Sequence, residues 1–351
     1  MRRVSIVRSI TPTLSSLALV TALLAASSGA TAGPPDPAPA DRPLGKGDGD
    51  PQVLAISIDA LNPEALRKLG HRGAPHLWRL VDEGASTLQA RTQLELTVTL
   101  PNHTSMVTGR RIDASEGGHG VTWNDDLPKR PPTVQAAAGH PVGSIVTVAH
   151  QGGISTALFA TKAKFSLFQR SWPEALDRVT ITEEQDAAVV KALRGDLLRQ
   201  DRGVTFVHLG LADQIGHARG FMSRAYLRAV HRIDALIGTI LAAADSSKAL
   251  DDLTIILTSD HGGLKGTGSH SKADALANYR VPFAVWGPGI SRGDLYDLNP
   301  GYRNPRRAHP DLRGKQPVRN GDVANVALRL LGLRPVRGSI FGVERPLRLR
   351  R

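Results

Sequence analysis

Residues 253–263 read LTIILTSDHGG. The run Leu253–Ser259 shows no apolar/polar alternation, and it stops at an acid, Asp260, followed by His261 and two glycines. A strand of this kind is covered on both faces, as in a parallel sheet flanked by helices. Two further runs repeat the design. QVLAISI (Gln52–Ile58) ends at Asp59, and VTFVHL (Val204–Leu209) is followed shortly by Asp213. Helical stretches separate them. Helices are predicted after Pro63 and after Pro75 and through VGSIVTVAHQGG, which leads into a strand STALFA. Thr182 and Gln185 form a capping box for a helix reaching about Gln200. Ser223–Ala244 reads as a long helix, VPFAVWG as a late strand, and DVANVALRLLG as an amphipathic helix ending at Gly332. Strands alternating with helices predict an α/β fold with a mostly parallel central sheet and helices on both faces. No internal repeat is present.

In such sheets ligands bind outside the carboxyl ends of the strands. Asp59, Asp213 and Asp260 therefore converge on one edge. Read singly, each aspartate equally suits a helix cap. Three together, each with a histidine near it, call for a cation, because clustered carboxylates repel. His217 lies four residues after Asp213, with Gly216 allowing a close turn, His261 adjoins Asp260, and the glycine-rich Gly262–Gly268 stretch can return His270 to the same place. His103 and His119 read as core or surface residues. The chain has no cysteine, which excludes disulfides, thiolate metal sites and cysteine nucleophiles. Asp/His sets without Cys suit a catalytic Zn²⁺. In TVTLPNHTSMVTG, Pro101 marks a helix start and places Thr99 just before it. A hydroxyl there is either a plain cap or, beside a metal, a nucleophile.

The segments IDALNP, TLPNHTSMVTG, HGVTWN, ADQIGH, SDHGG and GSH…VPFAVWGPG together resemble the alkaline phosphatase superfamily, most closely the type I phosphodiesterase/nucleotide pyrophosphatase family. The likeness runs from about Gln52 to Gly342 and implies an alkaline-phosphatase-like three-layer sandwich. It implies two divalent metal ions, most often Zn²⁺: one held by Asp59, Thr99, Asp260 and His261, the other by Asp213, His217 and His270. It further implies Thr99 as nucleophile and Asn124 as the phosphate-binding amide, helped by the backbone N–H near Leu100. The implied activity is hydrolysis of a small-molecule phosphoester. Alternatives are a phosphonate or phosphate monoester hydrolase of the same superfamily, or a non-catalytic surface protein that keeps the fold. A sulfatase is disfavoured, since neither Cys nor Ser stands at the nucleophile position. Because Asn124 is neutral, diesters or phosphonate monoesters are expected to be preferred over dianionic phosphate monoesters.

The remaining segments set location and partners. Arg2, Arg3 and Arg8 precede an apolar run and an Ala30-Thr31-Ala32 cleavage pattern, so residues 1–32 read as a signal peptide and the protein as secreted, periplasmic or cell-surface. No transmembrane segment is expected in the mature chain. Residues 33–51 read as a flexible linker, 52–342 as the catalytic domain with 125–178 as a candidate small cap, and 343–351 as a basic tail. The net charge is +12, and from Tyr302 onward thirteen Arg/Lys face three Asp/Glu. Charge so localised suits weak contact with anionic polymers and not specific nucleic-acid recognition. Aromatic residues, 4% of the chain, are too sparse for a base-stacking platform.

Overall fold

The computed structural model describes residues 50–272 and 275–350. The expected signal peptide and nearly all of the linker lie outside them. In chain order the elements are β1 (Gln52–Ile58), α1 (Pro63–Gly73), α2 (Pro75–Glu83), β2 (Ala85–Arg91), α3 (Thr99–Thr108), α4 (Val134–Ala138), α5 (Ile145–Gln151), β3 (Thr156–Ala160), α6 (Ser166–Ser171) and β4 (Arg178–Ile181). Then follow α7 (Asp186–Leu197), β5 (Val204–Leu209), α8 (Leu211–Arg219), α9 (Arg224–Ser246), β6 (Leu253–Thr258), α10 (Leu276–Tyr279), β7 (Arg280–Trp286), β8 (Gly293–Asp294), α11 (Leu295–Leu298) and α12 (Val323–Leu330).

The strands form one sheet in the order β4-β3-β5-β1-β6-β7-β2-β8. β1 is central and pairs parallel with β5 and β6, while β7 runs antiparallel to both β6 and β2. The two-residue period of a strand sends alternate side chains to opposite faces. Val53 and Ala55 of β1 enter a core shared with Leu100, Val107, Ile145 and Val326, on α3, α5 and α12. Leu54, Ile56 and Ile58 enter the other core, with Leu66, Leu77, Val189 and Ile233, on α1, α2, α7 and α9. The architecture is the expected three layers. It also explains the unalternating strand sequences, since both faces are buried.

Several sequence expectations change. Residues 125–178 do not form a separate cap: they carry α4, α5 and α6 and the strand β3, which pairs with β5 inside the sheet. The Thr182–Gln185 capping box does not form. Helix α7 starts at Asp186 with Gln185 at its N-cap and no side-chain cap. The Asp186 carboxylate instead accepts the N–H groups of Gly210 and Leu211, at 2.9 and 3.2 Å, fixing the start of α8. The residues after Gly342 are not a free tail. Leu347 and Leu349 are buried, Ser291 donates its N–H to the Leu349 carbonyl at 2.7 Å, and Arg348 donates its own to Asn299 Oδ1 at 2.6 Å.

Candidate metal centre and nucleophile

The centre is assembled from the carboxyl ends of adjacent strands. Asp59 follows β1, Asp260 and His261 follow β6, and Asp213 lies in the first turn of α8, immediately after β5. An acid is favoured in that turn by the helix dipole. His217, four residues on, occupies the same helix face. The turn after Asp59 places Ala60 in the left-handed region, φ 59°. For a residue with a Cβ this costs on the order of 1–2 kcal/mol. Four hydrogen bonds hold it: Ala60 N–H to Asp260 Oδ1 (3.1 Å), Leu61 N–H to Ser259 Oγ (2.9 Å), Tyr226 O–H to the Ala60 carbonyl (2.6 Å) and Asn62 N–H to Tyr226 Oη (3.1 Å).

All six expected Asp and His ligands meet here. His261 Nε2 lies 3.4 Å from Asp59 Oδ1 and 3.1 Å from Asp260 Oδ2. Asp213 Oδ1 lies 3.3 Å from His217 Nε2 and 3.6 Å from His270 Nε2, and these two nitrogens are 3.1 Å apart. His261 and His270 stack with ring centroids 3.6 Å apart, and His261 also joins Asp213 and His270 in a compact group. It thus stands between the two ligand sets. All three rings present Nε2 to the centre and turn Nδ1 to a backbone carbonyl: His261 to Gly262 (2.9 Å), His217 to Gly268 (2.7 Å) and His270 to Thr97 (2.6 Å). An Nδ1–H donated to a carbonyl fixes the tautomer that leaves Nε2 free as a ligand.

The carboxylates divide their oxygens in the same way. Asp59 Oδ2 accepts from Lys162 (2.5 Å) and His208 (2.9 Å), Asp213 Oδ2 accepts from Lys162 (2.7 Å), and Asp260 Oδ1 accepts the N–H groups of Ala60 and His261. Asp59 Oδ1, Asp213 Oδ1, Asp260 Oδ2 and His261 Nε2 are buried without a hydrogen-bond partner. Each such orphan costs about 1–3 kcal/mol, more when charged. Four of them facing one another fit divalent cations.

The charges respond to this crowding. Burial opposes ionisation of Asp59, but Lys162 and His208 outweigh it and hold the carboxyl well below 3.8. Asp213, opposed by burial and by Asp59, is brought to about 2 by His217 and Lys162. Asp260 has no such cation in contact, and burial together with Asp59 and Asp213 pushes it well above 3.8. Burial depresses His261 to about 3, keeping its ring neutral.

Thr99 is the first residue of α3, not the residue before it. Val98 occupies the N-cap, and no side-chain cap bond is made. Thr99 is buried, and its carbonyl and Asp260 Oδ2 flank the same nitrogen, His103 Nδ1, at 2.8 and 3.7 Å. Leu100 N–H is not free for a substrate oxygen: it donates to Asn124 Oδ1 at 2.9 Å. His103 and His119 are buried, as expected of core residues. His119 accepts Val121 N–H at Nδ1 (3.1 Å) and contacts Ser105 Oγ through Nε2 (2.9 Å), tying the segment that carries Asn124 to α3. Gly216 makes no turn but sits inside α8, where a Cβ would lie 2.1 Å from the Phe221 ring; Gly263 faces the same ring at 2.2 Å. Arg110 does not serve the site, since it donates to the carbonyls of Gly117 and Arg337.

Three residues were not singled out from the sequence: His208 on β5, and Lys162 and Lys164 just beyond β3. Lys164 Nζ donates to the Asn124 carbonyl at 2.6 Å. The segment beyond Asp125 therefore brings two ammonium groups beside the carboxylates and Asn124. Lys162 and Lys164 also line a cavity of about 240 Å³ with Asp126, Thr161, Glu183, Glu184 and Gln214.

Known proteins share this fold. Solved structures of murine ectonucleotide pyrophosphatase/phosphodiesterase 5, in complex with AMP, and of a 2-O GAG sulfatase share the fold. Their TM-scores are 0.59 and 0.53 at 14% and 12% identity, covering 82% of this chain in each case and 96% and 71% of theirs. Curated relatives include the GPI ethanolamine phosphate transferase 1 of Chaetomium globosum, 33% identical over 109 residues, and that of Emericella nidulans, 30% identical over 140. Those matches cover 30% and 39% of this chain but only 12% and 15% of the relatives' length. The family model described as type I phosphodiesterase/nucleotide pyrophosphatase matches residues 53–318. With its fold and its Asp/His centre at the strand ends, the chain belongs to the type I phosphodiesterase/nucleotide pyrophosphatase family, within the alkaline phosphatase superfamily.

Proposed function

We propose that the protein is an exported, metal-dependent phosphoric ester hydrolase with Thr99 as nucleophile. The observation that carries this reading is the set of four buried, partnerless ligand atoms on Asp59, Asp213, Asp260 and His261. The spacings of 3.1–3.6 Å among most of the ligand atoms match the roughly 3.3 Å edge of a tetrahedron with zinc-length bonds. Asp59, Asp260 and His261 would hold one Zn²⁺ with Thr99, and Asp213, His217 and His270 the other. Such a pair, when bound, lowers the pKa of the attacking hydroxyl and offsets charge on the phosphoryl oxygens.

The chain's own residues do the rest. Thr99 Oγ1 bonds to phosphorus, and the bond from phosphorus to the leaving alcohol breaks. The alcohol leaves with a proton, and the phosphoryl group remains on Thr99. Water then displaces Thr99, regenerating its hydroxyl. Asn124, its Oδ1 held by Leu100, has Nδ2 left to donate to a non-bridging oxygen, an effect worth roughly 3 kcal/mol per donor in comparable sites.

A second reading follows from the curated relatives. If an alcohol replaces water in the second half, the same covalent step becomes transfer of the phosphoryl group to that alcohol; the relatives' name describes them as transferases of ethanolamine phosphate. One experiment tests both. Zinc-loaded protein is given bis-p-nitrophenyl phosphate with and without a primary alcohol. Nitrophenol release that is abolished by chelation and restored by zinc is the expected result, and capture of the phosphoryl group by alcohol in preference to water marks a transferase. Full turnover by metal-free protein would refute the metal-dependent mechanism.

A further inference from the structure

Lys162 Nζ lies 2.5 Å from Asp59 Oδ2 and 2.7 Å from Asp213 Oδ2. These carboxylates come from different ligand sets, so one ammonium links the two. The side chain is 20% exposed, against 0% and 5% for its partners. Both contacts use Oδ2, and Oδ1 of each aspartate stays partnerless on the side of the histidines. The lysine thus sits behind the ligand atoms and does not take their place. Its backbone is anchored. Thr161 Oγ1 contacts His208 Nδ1 at 3.1 Å, Ala163 N–H donates to Glu183 Oε1 at 3.3 Å, and Phe165 N–H donates to the Lys162 carbonyl at 3.2 Å.

We propose that Lys162 is a resident cation of the centre. It is a positioning residue that keeps the Asp59 and Asp213 carboxylates together while no metal is bound, and it lowers the affinity of the assembled site for metal. The inference rests on the two-metal reading above. Buried carboxylates at this spacing repel unless a positive charge stands between them. Lys162 supplies that charge permanently, and a bound metal supplies it only when present. The same ammonium repels an arriving divalent ion. Without the lysine, the carboxylates have only the metal to neutralise them, so binding tightens while the metal-free fold weakens. A side chain that merely filled space would weaken both forms alike.

The test compares wild type with Lys162→Met, which is one atom shorter, stays unbranched and removes the charge. Thermal midpoints are measured on metal-stripped and zinc-saturated protein, and the zinc Kd by competition with a chromophoric chelator. The expected result is a midpoint several degrees below wild type in the stripped variant. With zinc the gap narrows, and the variant binds zinc about tenfold more tightly, a change of roughly 1.4 kcal/mol. An equal loss of midpoint with and without zinc, or zinc binding no tighter than wild type, overturns the proposal. Wild type that binds no zinc removes the metal reading and the lysine's role with it. Wild type that binds two zinc ions, beside a variant that fails these expectations, removes the lysine's role alone. If stripped Lys162→Met does not fold, Lys162→Met with Asp213→Asn restores the charge balance and is expected to fold. Failure of that double variant refutes charge compensation.

Discussion

Asn124 Oδ1 accepts the backbone N–H of Leu100 at 2.9 Å. The bond fixes which end of the amide is spent and which is left for a substrate. Asn124→Ala is expected to lower kcat on a phosphoester about 100-fold or more, with little change in thermal midpoint. Asn124→Asp keeps the acceptor for Leu100 but has no donor, so it should be as impaired as the alanine variant. Activity retained in the aspartate variant would show that Asn124 supports the loop and does not contact substrate.

Thr99 makes no capping bond, so its hydroxyl is not spent on starting α3. Thr99→Ala should therefore cost less than the ~1 kcal/mol typical of a lost cap while abolishing most turnover. Mass spectrometry of quenched wild-type reactions should find the phosphoryl group on Thr99. A loss of activity that only tracks the loss of folded protein argues against nucleophilic attack by this residue.

His261 lies between the ligand sets, whereas His217 serves one of them and is half exposed. Zinc content after dialysis should separate the two. His217→Ala is expected to keep about one ion per chain, and His261→Ala to keep less than one, since it removes a ligand of one set and the ring against which His270 of the other set stacks. Equal zinc content in the two variants contradicts a shared position for His261.

Lys164 brings an ammonium to the Asn124 carbonyl. Phosphate monoesters carry one more negative charge than diesters and gain more from it. Lys164→Met should lower kcat/KM for p-nitrophenyl phosphate about tenfold more than for bis-p-nitrophenyl phosphate. This gap corresponds to roughly 1.4 kcal/mol of differential binding. An equal loss on both substrates assigns Lys164 to loop support.

Away from the site, burial raises the Asp322 carboxyl from 3.8 to about 7, although Arg319 N–H donates to its Oδ2 at 2.7 Å. The folded protein therefore keeps this proton over a range in which the unfolded chain has lost it. Between about pH 4 and 7 the unfolded state binds fewer protons, so stability falls as pH rises, on the order of 4 kcal/mol over the whole interval. Asp322→Asn should remove this part of the slope. Denaturant melts are expected to show the variant gaining on wild type at pH 8 relative to pH 4.5. Parallel pH profiles for the two proteins would mean that Asp322 is ionised in the fold.

Much of the arrangement could be read from the sequence because strands buried on both faces carry no polar alternation. β1, β5 and β6 stood out for that reason, and a strand end is where an α/β sheet presents its ligands. The same rule, applied to cations, points to Lys162 immediately beyond β3. ATKAKF has the sequence of an ordinary basic turn, and only packing shows the Lys162 ammonium turned inward. His208 lies within a strand and gives no signal of its own. Its register opposite Ser57 is what aims it at Asp59. Thr182 failed as a cap because α7 begins four residues later, and the Asp186 at its start is committed to the α8 N-terminus. β2, with its mixed ASTLQAR sequence, owes its place to antiparallel pairing with β7 and has little intrinsic pattern.

The Phe221 ring acts as a shim. It separates the helix that carries Asp213 and His217 from the glycine-rich loop that carries His270, and Gly216 and Gly263 are bare where it touches them. Its edges meet His217 and His270 at centroid distances of 5.5 and 5.9 Å. The thickness of one aromatic ring thus gauges the width of the cage formed by those side chains. Phe221→Leu is therefore expected to let that helix and loop draw together and Phe221→Trp to force them apart, so that one side chain outside the Asp/His cluster acts as an adjustable jaw on the spacing of His217 and His270.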